Sequence, residues 1–193
     1  NATGVVLHTN LGRAQWPDEA RMAAASASAA AMCEIDAETG GRGKRDGAVC
    51  DLLAQLTGAE AGLPVNNNAA TVLLVAAALG KGRKVVVARS ELVEIGGSYR
   101  MPEVIAAAGA EMVSVGTTNR AHLKDFAEAL KDPEVACVMR IHPSNFVMQG
   151  FTAEPEMSEL SALCKEHGVP LYYDLGSGVL HGAALNGLED EHP

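Results

Sequence analysis

The chain has 193 residues, enough for one domain with a hydrophobic core, and its 48% hydrophobic and 20% charged residues are typical of a globular protein. Aromatic residues make up only 4%, while Ala and Val are abundant, which favours helices packed on a sheet over an aromatic-rich β-sandwich. The net charge of −9 argues against a broad nucleic-acid-binding face, though not against a local basic pocket, and no apolar run reaches the ~18 residues of a membrane-spanning helix.

The predicted elements alternate between helices and strands through most of the chain. In chain order they are helices over Pro17–Met32 and Gly47–Leu56, a strand over Ala61–Val65, a helix from the asparagine run to Gly80 or Gly82, a strand over Lys84–Ala88, a helix over Met101–Ala108, a strand over Glu111–Val115, a helix over His122–Leu130, a strand over Val135–Ile141, a helix over Met157–His167 and a strand over Val169–Tyr173. The strands are almost continuously apolar, which is typical of a parallel sheet covered on both faces. The sequence therefore predicts a three-layer α/β/α domain with a mostly parallel sheet.

Polar loops follow the predicted strands. They read VNNNAA, RSELVEIGGSYR, GTTNR, HPSNFVMQG and DLGSG, and most of them contain glycine. In open α/β sheets, ligands bind beyond the carboxyl ends of the strands, so these loops are expected to meet at one edge. Any one of them could be a plain connection, but five together indicate a binding site.

The asparagine run VNNNAAT lies between a predicted strand and a predicted helix. A helix N-terminus offers unpaired backbone N–H groups and a positive dipole, which hold phosphate well. Asn67 and Asn68 are therefore candidate phosphate contacts. The alternative is an ordinary asparagine N-cap.

Two further loops carry residues suited to a phosphorylated pyridine ring. Asp174 in DLGSG could pair with a protonated ring nitrogen and keep the ring an electron sink, and Ser177 could reach a neighbouring ring oxygen. Asn145 in HPSNF could donate to a phenolic oxygen of the same ring. For Asp174 the alternative is an aspartate that caps a turn or binds a metal through water, and for Asn145 it is an Asx-turn. His142 is expected to be structural.

Basic residues flank the glycine-rich turns of the chain. Arginine forks suit bidentate capture of carboxylate or phosphate, and glycines let the backbone approach an anion closely. The candidate anion contacts are therefore Arg13, Arg42, Lys44, Arg45 and Arg100, with solvated surface charge as the alternative. GGRGKRD lacks the spacing of a P-loop and GxGxxG is absent, so a nucleoside-triphosphatase is rejected and a dinucleotide site is disfavoured.

The four cysteines are scattered along the chain and show no CxxC spacing. They are Cys33, Cys50, Cys137 and Cys164. This pattern favours reduced thiols in a cytoplasmic protein over a metal site.

Taken together, the loops resemble one family. The motifs NATGVVLHTNLGRA, EIDAETGGRGKRD, VNNNAA, ELVEIGGSYRMPEV, VGTTNRAHLKDF, HPSNFVMQGFT and DLGSG look like the bacterial selenocysteine synthases, the L-seryl-tRNA(Sec) selenium transferases. The resemblance runs from Asn1 to about Leu180. It implies a fold-type I enzyme that uses pyridoxal 5′-phosphate (PLP), acts on seryl-tRNA(Sec) with selenophosphate in the cytoplasm, and forms homo-oligomers built from dimers.

The resemblance also implies roles for individual residues. Asp174 would hold the pyridinium proton, Asn67 and Asn68 the cofactor phosphate, and Asn145 the ring hydroxyl. The stretch Glu94–Gly97, with Glu94 as its first residue, would cover the ring face. The anion-binding residues suited to selenophosphate would be Arg13, Arg45 and, as a further candidate, Arg42.

One expected residue is missing from the chain. This fold type attaches PLP through a lysine on a later strand, in a motif such as SGDKLLGG, whereas the last lysine here is Lys165, before Asp174. We therefore expect no catalytic lysine in these residues, and a fragment that is inactive alone. Residues 1–45 would be an N-terminal arm with a first helix, and 46–193 part of the PLP-binding large domain, without the lysine strand and the C-terminal small domain. The alternatives are a related lyase acting on an amino-sugar acid and a truncated, non-catalytic homologue that serves as an assembly module.

Overall fold

The computed structural model describes residues 14–176, which form six α-helices and six strands. The helices are α1 (Asp18–Ala27), α2 (Gly47–Thr57), α3 (Asn68–Gly80), α4 (Met101–Ala107), α5 (Leu123–Ala129) and α6 (Met157–Glu166). The strands are β1 (Lys84–Ala88), β2 (Glu94–Ile95), β3 (Tyr99–Arg100), β4 (Glu111–Val115), β5 (Val135–Ile141) and β6 (Leu171–Asp174). No helix within 14–176 has both the length and the apolar character needed to cross a bilayer.

The described chain divides into two compact units. Residues 14–55 and Ala59–Leu63 form the N-terminal unit, and Leu56–Gly58 and residues 64–176 form the larger unit. In the N-terminal unit, α1 buries none of its residues, and Trp16, Met22 and Met32 are exposed. The larger unit contains the sheet and the buried core.

Four strands of the larger unit form a parallel sheet in the order β4-β1-β5-β6. Every residue of β5 is buried, as expected for a central strand between two helical layers. The parallel arrangement brings the carboxyl ends of all four strands to one edge of the sheet, where four of the five loops predicted to bind a ligand begin. The fifth, VNNNAA, follows no strand in the described part of the chain. In the register, Ile141 of β5 lies opposite Asp174 of β6.

The core consists of two apolar clusters, because alternate residues of each strand point to opposite faces of the sheet. One cluster joins strand residues such as Val85 and Cys137 to Val72 of α3 and Ile105 of α4. The second joins Val86 and Val138 to Phe126 of α5 and Leu160 of α6. This layering confirms the predicted helix–sheet–helix arrangement.

Three predicted strands agree with the structure residue for residue: β1, β4 and β5. The predicted strand over Ala61–Val65 is wrong, because these residues form no strand. Pro64 has no backbone N–H to donate to a ladder, and Ala61–Val65 has no strand partner within the described part of the chain. The first predicted helix, Pro17–Met32, is too long, because α1 ends at Ala27.

A short antiparallel hairpin, β2–β3, follows β1 and was not predicted. Glu94 pairs with Arg100 across it, both through the backbone and through a side-chain ion pair of 2.6 Å. Each strand has only two residues, too few to show a period of two in the sequence.

Candidate functional site

The carboxyl end of β6 and the amino end of α3 meet through two of the predicted site residues. Asn68 Nδ2 donates a hydrogen bond of 2.5 Å to Asp174 Oδ1, although the two residues are 106 positions apart in the chain. Asp174 is only 6% exposed. The structure thus brings the candidate phosphate loop and the candidate ring-nitrogen partner into direct contact.

Asn67 is the N-cap of α3. It has an extended backbone, and its side-chain oxygen accepts a hydrogen bond of 2.9 Å from Ala70 N. This is the capping role considered above as the alternative to phosphate binding. The cap uses the side-chain oxygen and not the amide nitrogen, so capping and ligand binding by Asn67 are compatible.

Two tyrosines outside the set of predicted site residues lie near Asp174. Tyr172 is two residues before it on β6, and Tyr99 is on β3. Burial raises the pKa of the Asp174 carboxyl, and hydrogen bonds from Asn68 and Tyr172, together with the nearby His142, oppose that rise. Burial, and next the Asp174 charge, raise the pKa of both tyrosine hydroxyls.

The Tyr99 hydroxyl is buried, and no group in the described part of the chain forms a hydrogen bond with it. A buried polar atom without a partner costs about 1–3 kcal/mol, and such atoms often mark the place of a ligand or an ordered water. Tyr99 also lines a groove of about 370 Å³ with Ala69 and Ala70 of the first turn of α3, although neither Asp174 nor Asn68 lines that groove. The unpartnered hydroxyl and the nearby Asp174 charge make Tyr99 a further candidate residue of the site.

Asn145 and Glu94 also contact each other at this edge of the sheet. Asn145 Nδ2 donates to the Glu94 carbonyl at 2.9 Å, while the Glu94 carboxylate pairs with Arg100. The loop with Asn145 begins beside Asp174, because His142 N donates to the Asp174 carbonyl at 2.9 Å. The hairpin and the HPSNF loop are thus joined to each other.

A buried ion pair lies at the same edge. Arg140 Nε donates to the Glu91 carboxylate, and the two residues are 8% and 5% exposed. Burial raises the pKa of Glu91 to about 7, and the Arg140 charge opposes that rise. A cavity of about 320 Å³ is lined by both residues and by Tyr173, but neither Asp174 nor Asn68 lines it.

Two of the predicted arginines, Arg42 and Arg45, belong to the N-terminal unit. Arg42 and Arg45 both pair with the carboxylate of Glu34, Arg42 at 3.5 Å, and both are exposed. A ligand anion at these guanidinium groups would have to compete with Glu34. Arg13 and Ser177 lie outside the described residues.

Comparison with known proteins identifies the family. The family model described as L-seryl-tRNA selenium transferase matches residues 1–193. The L-seryl-tRNA(Sec) selenium transferase of Serratia proteamaculans is 53% identical over 192 residues, which cover 99% of this chain and 41% of that protein. The protein of the same name from Rhizobium meliloti is 50% identical with the same coverage. The chain therefore spans about two-fifths of the length of these relatives.

Solved structures support the same fold. The structure of D-glucosaminate-6-phosphate ammonia-lyase superposes with a TM-score of 0.69 at 18% identity, covering 86% of this chain and 45% of that one. The predicted fold class, that of fold-type I PLP-dependent enzymes, is confirmed, and PLP is the cofactor that the family implies. The predicted family is confirmed as well: the chain belongs to the L-seryl-tRNA selenium transferase family.

Proposed function

We propose that the protein containing this chain is a PLP-dependent transferase that converts seryl-tRNA(Sec) to selenocysteinyl-tRNA(Sec) with selenophosphate. The relatives' names at about 50% identity support the reaction. The observation that carries the site is the Asn68–Asp174 hydrogen bond, which joins a helix N-terminus to a buried carboxylate. Conversion of seryl-tRNA(Sec) by the complete gene product, with selenophosphate as the selenium donor, tests the activity, and its absence would refute the proposal.

Two observations support a fit between these residues and PLP. The buried Asp174 carboxylate is suited to a cationic ring nitrogen, and the Tyr99 hydroxyl is a buried polar atom without a protein partner in the described part of the chain. When bound, PLP supplies an electron sink for reactions at the substrate α-carbon. Asp174 holds a proton at the ring nitrogen, and the first turn of α3, with Asn67 and Asn68, binds the phosphate.

Further predicted residues contribute to the proposed cofactor site, and three arginines are proposed for the second substrate. Asn145 binds the ring hydroxyl, Ser177 a neighbouring ring oxygen, and the hairpin at Glu94 covers the ring. The proposed selenophosphate contacts are Arg13, Arg42 and Arg45, with Glu34 as the carboxylate that the substrate displaces from the last two.

We also propose a cytoplasmic homo-oligomer in which residues 1–45 act as an arm and 46–193 contribute to the PLP domain. Cys33, Cys50, Cys137 and Cys164 are all free, which supports a reducing compartment. The exposed Trp16 and Met32 of the N-terminal unit support association with another surface.

Replacing Asn67 separates phosphate binding from helix capping. Asn67→Asp retains the cap and places a negative charge at the helix N-terminus, so the urea midpoint should stay the same or rise. The same charge repels a phosphate, so we expect the affinity for pyridoxamine 5′-phosphate, which needs no lysine, to fall at least about tenfold. Calorimetric titration of the complete gene product measures this. Equal affinity in Asn67→Asp and wild type would leave Asn67 with the cap alone.

Tyr99→Phe tests the unpartnered hydroxyl. Removing a buried polar atom that lacks a partner should raise the free energy of unfolding of the cofactor-free protein by about 1 kcal/mol. If the hydroxyl contacts the cofactor, the affinity for pyridoxamine 5′-phosphate should fall about five- to tenfold, which corresponds to one hydrogen bond. Tyr172→Phe removes a hydroxyl that does have a partner, so it should lower the stability. A loss of stability in Tyr99→Phe would contradict the prediction.

A further inference from the structure

Arg140 of β5 connects its strand to two other segments of the chain with one guanidinium group. Its Nε donates to Glu91, its Nη1 to the Pro155 carbonyl at 3.1 Å, and its Nη2 to Glu154 Oε2 at 3.0 Å. The other six residues of β5 are uncharged. Glu91 uses both carboxylate oxygens, because its second oxygen accepts from Ile141 N at 3.2 Å.

Stability alone does not explain this buried pair. Removing two charges from water costs several kcal/mol per ion, and well-packed apolar residues in place of a buried ion pair are often as stable or more stable. A strand as apolar as β5 could hold an apolar residue at this position. The pair therefore calls for a role beyond stability.

The two segments held by Arg140 are the ends of the loops of the proposed cofactor site. Glu91 closes the turn after β1 and lies three residues before Glu94. Glu154 and Pro155 end the loop that begins after β5 and carries Asn145. The loops touch each other where Asn145 Nδ2 donates to the Glu94 carbonyl.

We propose that Arg140 and Glu91 are positioning residues, which hold the Glu94 hairpin and the Asn145 loop in the arrangement that binds the cofactor ring. This inference rests on the proposed function. Arg140 is suited to the task because its planar fork reaches three acceptors at fixed angles, which a lysine cannot do. The loops are thereby fixed to β5, whose last residue, Ile141, pairs with Asp174.

The test separates positioning from stability with a double variant of the complete gene product. Glu91→Gln with Arg140→Met removes both charges and leaves an amide oxygen for Ile141 N. We expect a urea midpoint close to that of wild type, whereas Arg140→Met alone lowers it because it leaves Glu91 buried without its partner. We also expect the double variant to bind pyridoxamine 5′-phosphate at least tenfold more weakly. Its amides at 94–97 and 144–147 should exchange hydrogen faster.

Lys84→Met is the matched control. Lys84 lies at the opposite end of β1 and pairs with Asp132 and Glu134, each at 2.8 Å. Its loss should lower the urea midpoint and leave both the affinity for pyridoxamine 5′-phosphate and the exchange at 94–97 and 144–147 unchanged.

Each outcome decides a separate question. A folded double variant with wild-type affinity and wild-type hydrogen exchange would overturn the positioning role. A double variant without a cooperative unfolding transition would overturn it as well, because the ion pair would then serve stability. If wild type itself fails to bind pyridoxamine 5′-phosphate, the proposed cofactor site fails. Hydrogen exchange then still shows whether Arg140 and Glu91 hold the two loops.

Discussion

Asp174→Asn should weaken pyridoxamine 5′-phosphate binding by about 10- to 100-fold and leave the cofactor-free protein folded. In the proposed site the ring nitrogen carries a proton, and a hydrogen bond to a charged partner contributes about 1.5–3 kcal/mol. An asparagine at this position keeps the size of the side chain and an oxygen that can accept from Asn68 Nδ2. Titration calorimetry at neutral pH measures the change. Wild-type affinity in the variant would show that Asp174 does not meet the ring nitrogen.

The same variant should change how stability depends on pH. Because burial raises the pKa of Asp174 above 3.8, the folded protein holds a proton there at pH values where the unfolded chain has lost it. The free energy of unfolding of wild type therefore falls as the pH rises from about the pKa of Asp174 in the unfolded chain through its raised pKa in the folded protein. The asparagine side chain of the variant does not titrate, so the stability of the variant relative to wild type should increase over that window and then stay constant.

Asp132→Asn provides a control with the opposite sign. Lys84 lowers the pKa of Asp132, so its carboxylate stabilises the fold above the unfolded pKa and loses that contribution as the pH falls. Relative to wild type, Asp132→Asn should therefore become less stable as the pH rises. Urea unfolding between about pH 3 and 7 measures both trends, and equal trends in the two variants would refute the assigned environment of Asp174.

Three strands of the parallel sheet could be predicted from the sequence because each is a short, mostly apolar run. β1, β4 and β5 are short apolar runs between turn residues, and their bounds agree with the structure. Ala61–Val65 has the same apolar character but forms no strand, because pairing depends on a neighbour and the composition of a segment does not report one. The β2–β3 hairpin was missed because each of its strands has only two residues, too few to show a period of two.

The candidate site could be predicted in part. Asp174 follows from a topological rule, because the carboxyl ends of parallel strands share one edge of the sheet. Asn68 was expected there because of a strand over Ala61–Val65 that does not form, yet the N-terminus of α3 does contact Asp174. Tyr172 could have been found as well, since a period of two places it on the same face as Asp174. Arg140 could have been noticed as the charged residue in VACVMRI. Its partner Glu91 could not, because the contact depends on the packing of a turn 49 residues away.

Gly116→Ala should be among the most destabilising single substitutions in the larger unit, with a loss of about 2–4 kcal/mol in the free energy of unfolding. Gly116 has φ +70, a conformation that costs a residue with a Cβ about 1 kcal/mol. A Cβ there would also lie 2.6 Å from the Arg120 carbonyl oxygen and 2.9 Å from Ala121 Cα. Both contacts are with backbone, which cannot move aside as a flexible side chain can, so overpacking adds about 1–3 kcal/mol.

Gly82→Ala separates the two contributions. Gly82 has nearly the same φ, +72, but nothing lies within 4 Å of its Cβ position, so this variant should lose only about 1 kcal/mol. The excess loss in Gly116→Ala then belongs to the loop at 116–121, which holds the 151–153 segment through the hydrogen bonds of Asn119 and Ala121. Urea midpoints of both variants measure the difference. Equal midpoints would mean that the loop at 116–121 can move to accommodate a Cβ. Its hydrogen bonds to the segment leading to Glu154 would then hold that segment less firmly than the contacts imply.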